Sequence, residues 1–113
     1  MFVLGIDPGL SRCGYGVLEQ SGRKAEAVAI GVIRTPAKAP LPQRLASIHQ
    51  ELSGLVEEHR PDVVAIERVF FQMNARTAMG VAQVSGLAMA IGNIAGAEVF
   101  EYTPNQVKEA VAG

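Results

Sequence analysis

The sequence has little cysteine, little histidine and no excess of positive charge. It contains one cysteine, Cys13, and two histidines, His49 and His59. A single thiol excludes an internal disulfide and fits the reducing cytoplasm. A nucleophilic thiol needs a base partner. Both histidines lie in a helical pattern far along the chain, so the sequence disfavours a catalytic Cys13.

Charge and composition restrict the class of protein further. The formal net charge is −1 and charged residues make up 19%, so composition alone gives no electrostatic argument for nucleic acid. Hydrophobic residues make up 49% of the 113 residues, which predicts one folded domain and excludes a disordered chain.

The sequence has no recognisable targeting segment. No basic region precedes an apolar stretch at its start, so we expect no signal peptide. Residues 79–95 carry no charge and have about the length of the shortest membrane span. Gln83, Ser85 and Asn93 within this segment favour a helix buried in protein. We therefore expect a cytoplasmic protein with no membrane partner.

The first part of the chain has the pattern of three strands. Residues 2–7 are apolar on both faces of a strand, and the following Asp-Pro-Gly predicts a turn. Residues 14–19 and 25–34 are predicted as the next strands, with a polar link over residues 21–24. Short links favour antiparallel pairing of all three.

Helices and strands alternate in the rest of the chain. We predict a helix from Pro42 to Arg60, a strand over residues 62–67 and a long helix over residues 75–95, with Asn74 as its N-cap. A strand over residues 99–102 and a helix over residues 105–112 follow. A helix between two strands implies a crossover, so the fourth strand should lie parallel to an earlier one. The order βββαβαβα predicts an α/β fold with a mixed sheet, and this order matches the ribonuclease H-like fold.

Two acidic residues end strands that should be neighbours. Asp7 ends the first strand and Glu67 the fourth, and ligands bind at the carboxyl ends of strands in open α/β sheets. Facing carboxylates repel each other unless a proton or cation lies between them, and oxygen ligands suit Mg²⁺ or Mn²⁺. Acids at strand ends are often only solvated, but the pair together favours a metal site.

Metal pairs held by carboxylates catalyse phosphodiester hydrolysis, yet two carboxylates are few for two metals. Asp62 begins its strand, so we expect it at the edge of the sheet opposite to Asp7 and Glu67. Glu101 on the fifth strand is a weak third candidate. Gly5 and Gly9 would allow a substrate backbone to approach closely.

Four motifs carry a family resemblance. Residues 4–9 (LGIDPG) lead into residues 14–17 (GYGV). Residues 65–70 (AIERVF), residues 83–86 (QVSG) and residues 102–108 (YTPNQVK) follow in order. This set resembles the RuvC family of Holliday-junction resolvases over nearly the whole chain.

The resemblance implies a structure-specific endodeoxyribonuclease of recombination and repair. It would cut four-way (Holliday) DNA junctions by paired symmetric nicks with Mg²⁺, or Mn²⁺ as substitute, at two ions per site. The metal ligands carried over are Asp7 and Glu67. Phe70 matches an aromatic that stacks on a base, which is worth roughly 1–3 kcal/mol; alternatively it belongs to the core. Candidates for phosphate contact are the basic residues Arg12, Arg68, Arg76 and Lys108, each of which could instead be a solvated surface charge.

The resemblance also implies partners. The long helix would form a homodimer interface through Gly80, Gln83, Gly86, Leu87 and Ala90. The helix is rich in small residues, which permit close approach of a second backbone. The same residues would suit packing on the sheet, but a helix this apolar all round needs burial on both sides. The branch-migration motor complex RuvAB is a further implied partner.

The chain departs from the family pattern at two places. The family completes its site with two more ligands on a C-terminal helix, and this sequence ends at Gly113, before that helix. We therefore expect residues 1–113 to be a single nuclease domain truncated before the catalytic helix, weakly active or inactive alone. Met73 stands where many members have a basic residue.

Three alternatives stay open. A YqgF-type ribonuclease H-like nuclease has a similar opening but lacks the ending Ile66-Glu67. Actin-like and sugar-kinase ATPases also begin with Gly-Ile-Asp, but need a second such domain. The third is a non-catalytic binding module. A nucleotide-binding assay separates the ATPase class from the nucleases.

Overall fold

A computed structural model describes residues 1–68 and 74–103. These residues form seven elements, which are β1 (Phe2–Asp7), β2 (Arg12–Ser21), β3 (Lys24–Arg34), α1 (Leu41–His59), β4 (Val63–Glu67), α2 (Ala75–Ile94) and β5 (Glu98–Tyr102). The type and order of all seven are as predicted, and their ends differ from prediction by at most two residues. The predicted helix over residues 105–112 lies outside the described residues.

The strands form a single mixed sheet of order β3-β2-β1-β4-β5. The first three strands pair antiparallel, as their short links predict. β4 pairs parallel to β1, and β5 pairs parallel to β4. The expected crossover is therefore confirmed, and three neighbouring strands have their carboxyl ends at the same edge of the sheet.

Both described helices cover one face of the sheet. Alternate residues of the central strands, among them Leu4, Ile6 and Ile66, are at most 2% exposed beneath the helices. Ile48 of α1 and Val84 of α2 are fully buried against them. Each large apolar side chain buried in this way contributes about 1.5–3 kcal/mol, so this layer is the main source of stability.

The helix ends follow local chemistry. The Asn74 side chain accepts a hydrogen bond from the Thr77 backbone N–H at 2.9 Å, which confirms the predicted N-cap of α2. α1 ends at His59. The next residue, Arg60, lies in the left-handed region with φ 46°, and Pro61 prevents continuation. Gly96, with φ +84°, follows the end of α2, where glycine is favoured because it has no Cβ.

α2 lies against the sheet with little space between them. A Cβ added at Gly92 would lie 2.8 Å from Val99 Cγ2 and 3.1 Å from Val64 Cγ2. By length and composition α2 could also cross a membrane, although part of it is buried inside the chain. A core helix of a soluble protein meets the same criteria, so this is weak support for a membrane span.

Candidate active site

The two predicted acids lie side by side at the carboxyl edge of the sheet. Ile6 of β1 is in parallel register with Ile66 of β4, so the next residues, Asp7 and Glu67, follow on adjacent strands. The pKa of Glu67 is raised, first by burial, then by the negative charge of Asp7 and a hydrogen bond with its side chain. The expected meeting of the two acids at one edge is therefore observed.

Sequence reasoning missed a third polar group at this edge. Tyr102 of β5 is in register with Glu67, which places its half-buried phenol beside the carboxyls. Burial raises the pKa of Tyr102, and the charges of Glu67 and Asp7 raise it further. The sequence could have predicted this position, because a fifth strand that runs parallel to the fourth ends at the same edge of the sheet.

A glycine leaves open space on one side of Asp7. Gly14 lies opposite Asp7 in the β1–β2 register, and a Cβ added there would lie 3.6 Å from Asp7 Cβ. Gly9 has a different role, because an added Cβ would collide with the carbonyl oxygen of Arg12. The turn itself therefore requires Gly9, whatever the substrate.

The remaining candidate acids do not join the pair. Asp62 accepts a hydrogen bond from the Phe2 backbone N–H at 2.8 Å, at the opposite end of the strands, as predicted. Glu101 is in register with Ile66, so it lies on the other face of the sheet from Glu67, and it pairs with Arg68 at 3.4 Å. Within residues 1–68 and 74–103, no group of three or more His, Cys, Asp or Glu could hold a metal.

The donor set nevertheless fits a hard divalent cation. Two adjacent carboxylates, one with a raised pKa, are stabilised by a positive ion between them, and oxygen donors are those that Mg²⁺ prefers.

Cys13 belongs to the core. Its side chain is 0% exposed, and burial raises its pKa to about 11, although a backbone hydrogen bond with Gly9 acts in the opposite direction. Reactive cysteines are exposed and have lowered pKa values. The structure therefore agrees with the sequence in disfavouring a catalytic thiol.

The predicted DNA-contacting residues lie in different places. Arg12 and Arg76 line one cavity of about 490 Å³ beside the turn that follows β1. Arg68 lies on the helical face of the sheet and pairs with Glu101. Phe70 and Lys108 lie outside the described residues.

The predicted dimer residues lie on two sides of α2. Gly86 and Ala90 are exposed, and an added Cβ at Gly86 would meet nothing within 4 Å. Gln83 is half-buried, and Leu87 is partly buried against the core. Gly80 is buried, and a Cβ added there would lie 3.2 Å from Leu10 Cβ. Gly80 therefore faces its own chain, which corrects its prediction as an interface residue.

The strand order, the crossover and the acidic pair define a ribonuclease H-like α/β protein. The family model described as crossover junction endodeoxyribonuclease RuvC matches residues 3–113, and the chain belongs to this family. The resemblance seen in the motifs is therefore confirmed, and membership decides against the YqgF-type and ATPase alternatives.

Relatives and solved structures agree with the assignment. The RuvC proteins of Salinispora arenicola and Mycobacterium ulcerans are 54% and 48% identical over 114 residues, covering 100% of this chain. This chain spans 65% and 62% of their lengths. Thermus thermophilus RuvC, solved in complex with a Holliday junction substrate, superposes with a TM-score of 0.90 at 34% identity, covering 97% of this chain and 69% of that one. The yeast mitochondrial Holliday junction resolvase Ydc2 shares the fold, with a TM-score of 0.69, 17% identity and coverage of 95% and 54%.

Proposed function

We propose that this chain carries the N-terminal part of a Mg²⁺-dependent endodeoxyribonuclease that resolves four-way DNA junctions by paired symmetric nicks. The adjacent acids at the ends of β1 and β4 carry this proposal, within a chain of the RuvC family. The junction as substrate is supported by the Thermus thermophilus relative, whose structure contains one.

Asp7 and Glu67 would hold the divalent cations. When bound, such ions activate water and stabilise the leaving oxygen of the phosphodiester. Two carboxylates are too few for two ions, so we propose that further ligands come from a C-terminal helix beyond residue 113. Residues 1–113 alone would then bind metal poorly and nick weakly or not at all.

DNA would lie across the carboxyl edge of the sheet. Arg12 and Arg76 would contact the backbone beside the acids, and Phe70 would stack on a base near the crossover. Arg68 is a weaker candidate because it pairs with Glu101. A homodimer formed through the exposed side of α2 would present two sites for two nicks. Cooperation with RuvAB and a cytoplasmic location complete the proposal.

A labelled four-way junction tests the proposal directly. The full-length natural protein that contains these residues should produce paired symmetric nicks with Mg²⁺ or Mn²⁺. Asp7→Asn should reduce the nicking rate more than about 100-fold, since even groups that only orient metal ligands are worth 10–100-fold. Glu98→Gln, an exposed acid at the opposite end of β5, is the matched control and should retain full activity. Absence of nicking by the full-length protein with either ion would overturn the proposal.

A further inference from the structure

Three arginines surround a cavity that contains no acid. The cavity of about 490 Å³ lies between the turn after β1 and the first turns of α1 and α2, and Arg12, Arg44 and Arg76 line it. Neither Asp nor Glu lines it, and neither ion pair found in the described part of the chain involves these arginines. Clustered positive charge in a concave site without counter-charge favours an anion.

Arg44 is fixed before any ligand arrives. Its Nε donates to Thr35 Oγ1 at 2.9 Å, and its Nη2 donates to Ser11 Oγ at 2.8 Å. Thr35 is 7% exposed, and its hydroxyl donates to the Leu10 carbonyl oxygen at 2.6 Å. The guanidinium is therefore oriented by the fold, which reduces the entropy lost on binding an anion.

The cavity adjoins the carboxyl pair along the chain. Its lining includes Gly9 and Ser11, which belong to the turn that directly follows Asp7. A DNA strand that places one phosphodiester at the acids brings further phosphates close by, because each nucleotide carries one charge.

We propose that Arg12, Arg44 and Arg76 form a phosphate-binding pocket for a DNA backbone phosphate near the one that is cut. Arg44 is its fixed base, and the exposed side chains of Arg12 and Arg76 close on the phosphate oxygens from the sides. Guanidinium groups suit this ligand because they donate two parallel hydrogen bonds to it. The inference rests on the proposed nuclease function, and it assigns a binding role to Arg44, which had no signal in the sequence.

The test measures junction binding rather than cleavage. The full-length protein carries Asp7→Asn so that the DNA stays intact, and its dissociation constant is measured over a series of salt concentrations. Arg44→Met should weaken binding about tenfold and reduce the slope of log K against log salt by about 0.9, the value of one lost phosphate contact. Arg23→Met, an exposed arginine at the β2–β3 turn, is the matched control and should change neither quantity.

Further variants separate phosphate contact from a purely structural role. Thr35→Val and Ser11→Ala remove the hydrogen bonds of Arg44 but keep its charge, so the salt slope should stay at the wild-type value. Arg44→Lys should restore the slope but only part of the affinity. If Arg44→Met leaves the slope unchanged, or matches Arg23→Met in both quantities, the pocket assignment is wrong.

Failure of the proposed function and binding of a free anion would give different results. If the full-length wild-type protein neither binds nor nicks junctions, the proposed function itself fails, and this inference fails with it. If inorganic phosphate raises the melting temperature of the protein that keeps Arg44 but not of Arg44→Met, while Arg44→Met leaves junction affinity and the salt slope unchanged, the pocket takes a free anion. That result would overturn the assignment to backbone phosphate.

Discussion

Glu67 is a proposed metal ligand, and its charge also affects the stability of the fold. Its pKa lies above the ordinary value of 4.5 because of burial and of Asp7. A raised pKa means that the folded state binds the proton more tightly than the unfolded state does. The proton on Glu67 therefore stabilises the fold. This stabilisation is fully present below the pKa of the unfolded state and is lost as pH rises through the pKa of the folded state. At neutral pH the metal-free pair opposes folding.

Removing the charge of Glu67 should therefore stabilise the metal-free protein. Glu67→Gln should raise the free energy of unfolding of the metal-free protein at neutral pH by at most about 1 kcal/mol, because solvent screens the charge of a carboxyl that is only partly buried. The gain should shrink at a pH below 4.5, where the wild-type carboxyl is protonated in both states. Urea denaturation with a chelator at both pH values measures this.

The same variant should lose stabilisation by metal. Mg²⁺ should raise the melting temperature of the wild-type full-length protein and of Glu98→Gln, but not of Glu67→Gln. An equal response in all three proteins would show that Glu67 is not a ligand.

Burial should make the Cys13 thiol slow to react in the folded protein. A pKa of about 11 instead of 9.0 for Cys13 alone reduces the thiolate fraction at pH 8 about 100-fold. Iodoacetamide should therefore label the folded protein at least about 100 times more slowly than the protein unfolded in urea. Mass spectrometry of timed samples gives both rates, and comparable rates would contradict the buried placement.

At the scale of the element, α2 has two sides with opposite requirements. Its inner side approaches β4 and β5 at Gly92, where the γ-methyl groups of Val64 and Val99 leave no room for a Cβ. Its outer side has open space at Gly86 and exposes Met79 and Ile94 at 62% and 85%. One helix thus contacts the sheet and also presents a stripe without cover from the described residues.

Paired glycine substitutions test these two sides. Gly92→Ala should reduce the free energy of unfolding by about 1–3 kcal/mol, because β-branched neighbours cannot turn away from the added methyl group. Gly86→Ala should raise the free energy of unfolding of the monomer by about 0.5–1 kcal/mol, since its Cβ meets nothing within the described part of its own chain and alanine is the better helix former. Urea denaturation of both proteins is the measurement. Equal effects would mean that α2 lies differently on the sheet.

At the scale of the whole molecule, paired nicking requires two sites in one particle. We predict that the full-length protein is a dimer and that Gly86→Arg makes it a monomer, because a charged side chain would replace close contact between two helices. Gln43→Arg, an exposed position on α1, is the control and should stay dimeric. Light scattering after size exclusion gives the masses. A monomeric wild type, or a dimeric Gly86→Arg, would contradict the proposed interface.

Local patterns in the sequence determined most of this architecture. Alternating or continuous apolar residues defined the strands, helical spacing defined α1 and α2, and Asn74 marked the start of α2, since each signal acts over a few neighbouring residues. Short links and one crossover then determined strand directions. Because two acids directly followed buried strands, the meeting of Asp7 and Glu67 could also be predicted.

Only the tertiary structure decided which distant residues share a face or a cavity. Strand register put Tyr102 beside the acids and Glu101 on the opposite face. The contact with Leu10 turned Gly80 inward, and the packing of three elements brought Arg44 to the pocket. Register and helix rotation depend on how whole elements pack, so a change of one position moves a side chain to another surface. Local sequence does not contain that information.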